Sequence, residues 1–163
     1  MDDASIPNGN GRAAGPISET MMQFFADENW AYMASESEPV LRVPFQGTNG
    51  QWMCYAQARE EQEQFVFYSV CPAVAPEERQ AAVAEFLTRA NYGVIIGNFE
   101  MDYRDGELRY KTSLDVEGDA LSPALMRSLV YANVAMMDHY LPGIMSVIYG
   151  NVSPEEAIEQ IEG

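Results

Sequence analysis

Phe99-Glu100-Met101-Asp102-Tyr103-Arg104-Asp105-Gly106-Glu107-Leu108-Arg109-Tyr110-Lys111-Thr112 is the stretch that decides the fold. Asp-Gly is a hairpin signal, because its turn needs positive φ at both central residues. A two-residue loop at Asp105-Gly106 sets Arg104 opposite Glu107, Asp102 opposite Arg109 and Glu100 opposite Lys111. All three are pairs of opposite charge. The other face then carries Phe99, Met101, Tyr103, Leu108, Tyr110, Thr112 and Leu114, an alternation of period two. Exposed pairs are worth only about 0.2–1 kcal/mol each, so they specify register more than they stabilise. The expectation is an antiparallel hairpin with one apolar face.

Upstream of it, Pro76 with Glu77 and Glu78 forms the start of a helix, with Pro at its first position and acids at the positive end of its dipole. Val83, Phe86, Leu87 and Ala90 give one apolar stripe, and Arg89 and Gly93 mark the end. Further upstream the period is two from Val40 onward, with Leu41, Val43 and Phe45 on one side and Pro44 at an edge or bend. Asn49-Gly50 signals a second hairpin, and the polar Glu60–Glu63 loop a third turn. Centring that loop groups Trp52, Cys54, Ala56, Phe65 and Phe67 on one face, and Met53, Tyr55, Val66, Tyr68 and Val70 on the other. At least one of these faces meets a helix layer, and the other is available to a second chain. A short apolar helix is expected from an N-cap at Ser18, running through Met21, Phe24 and Phe25. Residues 1–16 read as a flexible tail and residues 17–163 as one domain.

Downstream, Ser122-Pro123 opens a long apolar helix that Pro142-Gly143 is expected to break or re-angle. Ser153-Pro154-Glu155-Glu156 starts a short acidic terminal helix. The order is α-β-β-β-α-β-β-α, an α+β fold with a single antiparallel sheet of about five strands and helices packed on it.

Length and composition agree with one domain: 163 residues, 47% hydrophobic and 21% charged. Nine Lys and Arg against 25 Asp and Glu give a net charge of −16, which disfavours nucleic acid and anionic membrane as partners. No signal peptide and no membrane span is expected, which points to the cytoplasm.

Side chains that could carry chemistry are few. His139, the single histidine, follows Asp138, but neighbours on a helix point to different sides and no nucleophile stands ready for them. Cys54 and Cys71 fall diagonally on one face, so buried thiols are favoured over a redox pair or a zinc site. Asp115, Glu117 and Asp119 faintly resemble a calcium loop without its distal bidentate Glu, and a solvated loop is the simpler reading. Gly93 and Gly97 lack the pattern of a phosphate loop, and Gly97 is expected to make room for a packed side chain. No catalytic residue, cofactor or metal is expected. Ten methionines, among them Met126, Met136, Met137 and Met145, lie partly in a C-terminal helical region with almost no charge. A helix apolar all round needs cover beyond one sheet, which suggests a partner, most simply a second copy.

Asn91-Tyr92-Gly93, Gly97-Asn98-Phe99-Glu100-Met101-Asp102, the Asp-Gly hairpin and Tyr110-Lys111-Thr112 together resemble the YbjN domain family of bacteria. So do Asn133–Tyr140, Tyr149-Gly150 and Ser153-Pro154-Glu155-Glu156-Ala157, and the likeness runs from Ser18 to Gly163. Its flavour is similar to that of cyanobacterial members. The resemblance implies a fold similar to class I type III secretion chaperones, a homodimer and no enzymatic activity. It also implies a role in sensory transduction or stress regulation, and it supplies no catalytic residues to carry over.

The expected function is therefore a non-enzymatic, chaperone- or adaptor-like interaction module. It acts as a homodimer on a segment of another protein, through sheet-edge or groove contacts, with Tyr55, Tyr68, Met136 and Met137 as partner or dimer surface. The alternative is a small-ligand sensor or signal-transduction regulator, with an apolar pocket between sheet and helices. An enzyme ranks third.

Overall fold

A computed structural model describes residues 15–163. Helix α1 (Pro16–Asp27) leads through the short strand β1 (Met33–Ala34) to β2 (Val40–Gln46), β3 (Gln51–Arg59) and β4 (Gln64–Val70). A 3-10 turn at Glu77–Arg79 runs into α2 (Gln80–Asn91), and β5 (Asn98–Met101) and β6 (Leu108–Asp115) form a hairpin. Helices α3 (Pro123–Tyr149) and α4 (Pro154–Glu162) follow. The strands make one antiparallel sheet in the order β1-β2-β3-β4-β6-β5. This is the expected α+β arrangement. The sixth strand, β1, spans two residues, too few to leave a period in the sequence.

The expected division of faces holds. Val43, Cys54, Ser69, Tyr110 and Phe99 form one cross-strand row, and Leu41, Ala56, Phe67 and Thr112 the next. All nine are buried. Small residues on β3 (Cys54, Ala56 and Ala58) leave room for α1 against that strand, and Phe25 stacks on Phe67. α2 lies on β5, and α3 crosses β4 and β6, with the buried Asn133 amide donating to the carbonyls of Phe67 and Tyr110. Every helix that meets the sheet meets this one face.

The β5–β6 hairpin departs from the expected register by one pair. Glu100 faces Arg109 rather than Lys111, and Met101 faces Leu108. Residues 102–107 form a longer loop because two aspartates make turns of their own. Asp102 accepts from the Arg104 N–H and guanidinium, and Asp105 accepts from the Glu107 N–H. Gly106, at φ +78°, is pressed so close to the Ala75 carbonyl that no Cβ would fit. A shift of one pair moves each residue by two positions and leaves the faces unchanged.

Three further expectations change in detail. α1 begins at Pro16, so Ser18 lies in its first turn, and the cap is the Glu60 carboxylate from the β3–β4 loop. Glu60 accepts the N–H groups of Ile17 (3.3 Å) and Ser18 (2.8 Å). The expected tail lies outside the described residues apart from Gly15 and Pro16, which belong to this helix start. The β2–β3 connection is a four-residue loop, with Gln46 paired to Gln51 and no positive φ at Asn49 or Gly50. Its shape comes from Asp138 on α3, whose carboxylate accepts the N–H groups of Thr48 (3.0 Å) and Asn49 (2.8 Å). Gly47 is required there, because a Cβ would collide with that carboxylate.

α3 also runs unbroken through Pro142. A proline in a helix leaves the carbonyl four residues earlier without its donor, here Asp138. That carbonyl accepts the Asn49 side-chain amide instead, at 3.0 Å. Beyond it, Gly143 lets the Phe86 ring of α2 approach. α3 therefore needs no second chain to cover it: the sheet, α1, α2 and α4 surround it, and its apolar residues are mostly buried.

Two stability predictions follow from the side-chain caps. Glu60→Ala removes the acceptor for the first N–H groups of α1 and should cost about 1 kcal/mol, a fall in Tm of about 3 °C. Asp138→Ala strips the loop of two charge-assisted acceptors and should cost about 2 kcal/mol, with Asp138→Asn losing roughly half as much. Thermal and urea denaturation of the three variants beside the wild type measures both, and a wild-type midpoint for Asp138→Ala would refute the clamp.

Candidate functional site

Strand alternation fixes what the opposite, helix-free face presents. One row runs Arg42, Tyr55, Tyr68, Lys111 and Asn98 across β2, β3, β4, β6 and β5. On one side of it lie Val40, Gln57, Val66 and Ser113; on the other lie Pro44 with Met53, and Val70 with Arg109 and Glu100. Tyr55 and Tyr68 are directly opposite one another and half-buried. The Arg109 guanidinium lies 4.2 Å from the centre of the Tyr68 ring, within cation–π range. Arg109 also donates to Glu100 at 2.7 Å, and Lys111 to its second oxygen at 3.1 Å. Burial alone would raise the Glu100 pKa, but these two donors outweigh it and hold the carboxylate below its ordinary range. A cleft of about 300 Å³ opens here, lined by Val40, Tyr55, Gln57, Tyr68, Val70 and Arg109 together with Glu38 and Glu107.

The edges of the sheet offer less. On β5, the outward N–H and carbonyl of Phe99 are both taken by the Asn91 side chain, at 2.7 and 3.1 Å. On the other side β1 covers only Leu41 and Arg42, and the next exposed stretch of β2 contains Pro44, which has no N–H to donate. The middle of β5 and the free stretch of β2 are thereby blunted against an added strand, while β1 keeps a two-residue outer edge. The helix-free face is the larger surface left open to a partner.

The four expected surface residues do not come together. Tyr55 and Tyr68 share the open face. Met136 is half-buried on α3, across the sheet from them. Met137 is 0% exposed and belongs to the core, so it offers no surface to a partner. A helix with apolar residues on most sides does not reveal from sequence which of two adjacent methionines faces inward. The residues missed were Arg109 and Lys111, which had been read only as register pairs. Their alternation with Tyr110 put them on the charged face of the hairpin, and the β4–β6 pairing makes that the face of Tyr68.

Other candidates find quieter places. Cys54 and Cys71 are buried free thiols, pushed up by burial to about 12 and about 11, so neither is a thiolate near neutral pH. His139 is exposed on α3, and Asp138 is committed to the β2–β3 loop. Asp115 accepts from Gln64 and from the Glu117 N–H, and this holds its carboxyl below the usual range. Among the described residues, no group of three or more His, Cys, Asp or Glu is placed to hold a metal, and no helix is long and apolar enough to cross a membrane. Gly97 lies against Tyr110 and Thr112, as its expected packing role requires.

This geometry can be set beside known proteins. No curated protein matches the sequence. The structure is similar to the "Crystal structure of YbjN, a putative transcription regulator from E. coli", at 12% identity and a TM-score of 0.55, over 82% of this chain and 90% of that one. It is also similar to a chain of the ExsC–ExsE complex, at 10% identity and a TM-score of 0.53, over 77% of this chain and 91% of that one. A third likeness is to a chain in the structure of the Yersinia pestis type III secretion chaperone SycH in complex with a stable fragment of YscM2. It has 10% identity and a TM-score of 0.47, over 73% of this chain and 94% of that one. At these identities the likeness is one of fold, and nothing in it bears on a cyanobacterial source. The sequence model of YbjN, described as "Putative bacterial sensory transduction regulator", matches residues 18–146, and the chain belongs to that family.

Proposed function

We propose that this protein is a non-enzymatic, chaperone- or adaptor-like interaction module of the cytoplasm, acting as a homodimer on a segment of another protein. The observation that carries the reading is the helix-free sheet face, where two cross-strand tyrosines lie half-buried among Val40, Met53 and Val70. Interface centres are rich in tyrosine and arginine, and Arg109 over Tyr68 supplies both. The blunted stretches of β5 and β2 favour the face over an added strand. The fold likeness to a chain from a two-protein complex is consistent with this use.

The dimer belongs to another part of the surface. The loop from α2 to β5 exposes Tyr92 and Ile95, at 92% and 89%, with Ile96 beside them. Large hydrophobic side chains that are this open, next to an edge strand, favour contact with a second copy. The small-ligand sensor reading rests on the cleft of about 300 Å³ beside Tyr55 and Tyr68. It places a ligand on the open face rather than between sheet and helices.

Photo-crosslinking residues installed at position 55 or 68 should give discrete protein adducts in native cytosol, while one at position 159 on α4 should not. Adducts from position 159 alone would overturn the docking face. Sedimentation should show a dimer that Ile95→Asp converts to a monomer with an unchanged Tm, and a monomeric wild type would remove the dimer. A metabolite that raises Tm of the purified protein, and loses that effect in Tyr68→Ala, would favour the sensor instead.

A further inference from the structure

The chain carries 25 acidic and nine basic residues, yet its basic residues are not spread evenly. Four of the nine, Arg42, Arg59, Arg109 and Lys111, stand on the helix-free sheet face, where the strands contribute only Glu100 and Asp115 against them. Among the described residues, the cations elsewhere are tied down. Arg79 donates to the carbonyls of Val147 and Val152, Arg89 pairs with Glu85, Arg104 with Asp102, and Arg127 with Glu28. Arg42 and Arg59 have no hydrogen bond or ion pair among the described residues, and both are exposed. Glu100 is shared by Arg109 and Lys111, two cations on one carboxylate. Asp115 is occupied by Gln64. Glu38 and Glu107 line the cleft beside Arg109 and lie outside the row that runs Arg42–Tyr55–Tyr68–Lys111. Along that row the two tyrosines are flanked by a cation on each side.

We propose that the segment docked on this face is acidic as well as apolar, its aromatic or aliphatic side chains on Tyr55 and Tyr68 and its carboxylates against Arg42 and Lys111. The inference rests on the docking reading above and adds the chemistry of the partner. Carboxylates flanking an apolar anchor would satisfy Arg42, one of the two arginines on this face that have no partner among the described residues, and guanidinium–carboxylate pairs are the strong, directional ones. A basic segment would face the same row with like charge, although the protein as a whole is an anion. A second copy of this chain is the other acidic occupant, and its presence on the face is an outcome of the test.

The test is a peptide array on the full chain. Every spot carries Tyr, Val or Leu at alternate positions, and the positions between hold Asp and Glu, Asn and Gln, or Lys and Arg. A length of about eight residues crosses a six-stranded sheet roughly 24 Å wide. The acidic set should bind best, by about tenfold or more over the neutral set, and lose most of that margin as salt rises. NMR shifts from the best binder should fall on Tyr55, Tyr68 and Lys111. Arg42→Glu with Arg59→Glu touches no internal partner, so Tm should hold while preference swings toward the basic set. Equal or tighter binding of the neutral or basic set at the same face overturns the acidic preference and leaves the docking reading in place. Failure of all three sets overturns both. A peptide-free dimer in which the Tyr55 and Tyr68 rings are already shielded from a soluble paramagnetic probe overturns the inference in favour of a second copy.

Discussion

A single buried amide sets how α3 lies on the sheet. The Asn133 Nδ2 reaches the carbonyls of Phe67 and Tyr110, on two neighbouring strands, and the Thr112 hydroxyl, which in turn donates to the Leu129 carbonyl. A buried donor left without an acceptor costs on the order of 1–3 kcal/mol, so the Nδ2 partners hold the helix in place although the Asn133 Oδ1 has no partner among the described residues. Sliding α3 along the sheet would break several of these bonds at once. The consequences propagate along the helix. With Asn133 fixed, Asp138 arrives beside the β2–β3 loop, Pro142 frees a carbonyl for Asn49, and Gly143 meets Phe86 of α2. α4 then closes over α2 and α3, with the Tyr140 hydroxyl donating to Glu162.

That arrangement spends every helix on one face. α1, capped by Glu60 and tied to α3 through Glu28 with Arg127 and Tyr131, fills the space above β3. The Arg127 hydrogen bond, ahead of that from Tyr131, holds the Glu28 carboxyl below its usual range and joins the C-terminal end of α1 to α3. No helix remains for the other side. The open face is thus a consequence of how the core is closed. Its tyrosines and valines are sheltered only by their neighbours within the sheet.

The parts of this that could be read in the sequence are those that depend on parity. Residues alternate in and out whatever the register, so the split between Trp52, Cys54, Ala56, Phe65 and Phe67 and the Met53 to Val70 face survives small errors. Register itself did not survive in the β5–β6 hairpin. Three surface charge pairs count for little against two aspartate turns and a close approach to Ala75. Long-range partners were invisible. Nothing near Asn49-Gly50 announces Asp138, and nothing near Pro142 announces Asn49. Both signals were therefore given their local meanings, a tight two-residue turn and a helix break. The same limit explains Met137, whose inward orientation depends on the angle at which Asn133 seats the helix.

Net charge and local charge also act over different distances, which matters for what the open face can hold. At physiological salt the screening length is about 8 Å, while three strand spacings, the gap from Arg42 to Lys111, come to roughly 14 Å. A segment lying on the row therefore feels the cations beneath it far more than the acids of α4 or the α2 start on the other side of the sheet. Bulk repulsion slows the approach of any anion to this protein, and the contact row governs what stays once it arrives. An acidic protein can therefore discriminate in favour of acidic segments, provided its few unpaired cations are gathered in one place. Arg42 is one such cation, directly opposite a half-buried tyrosine on the surface that the helices leave open.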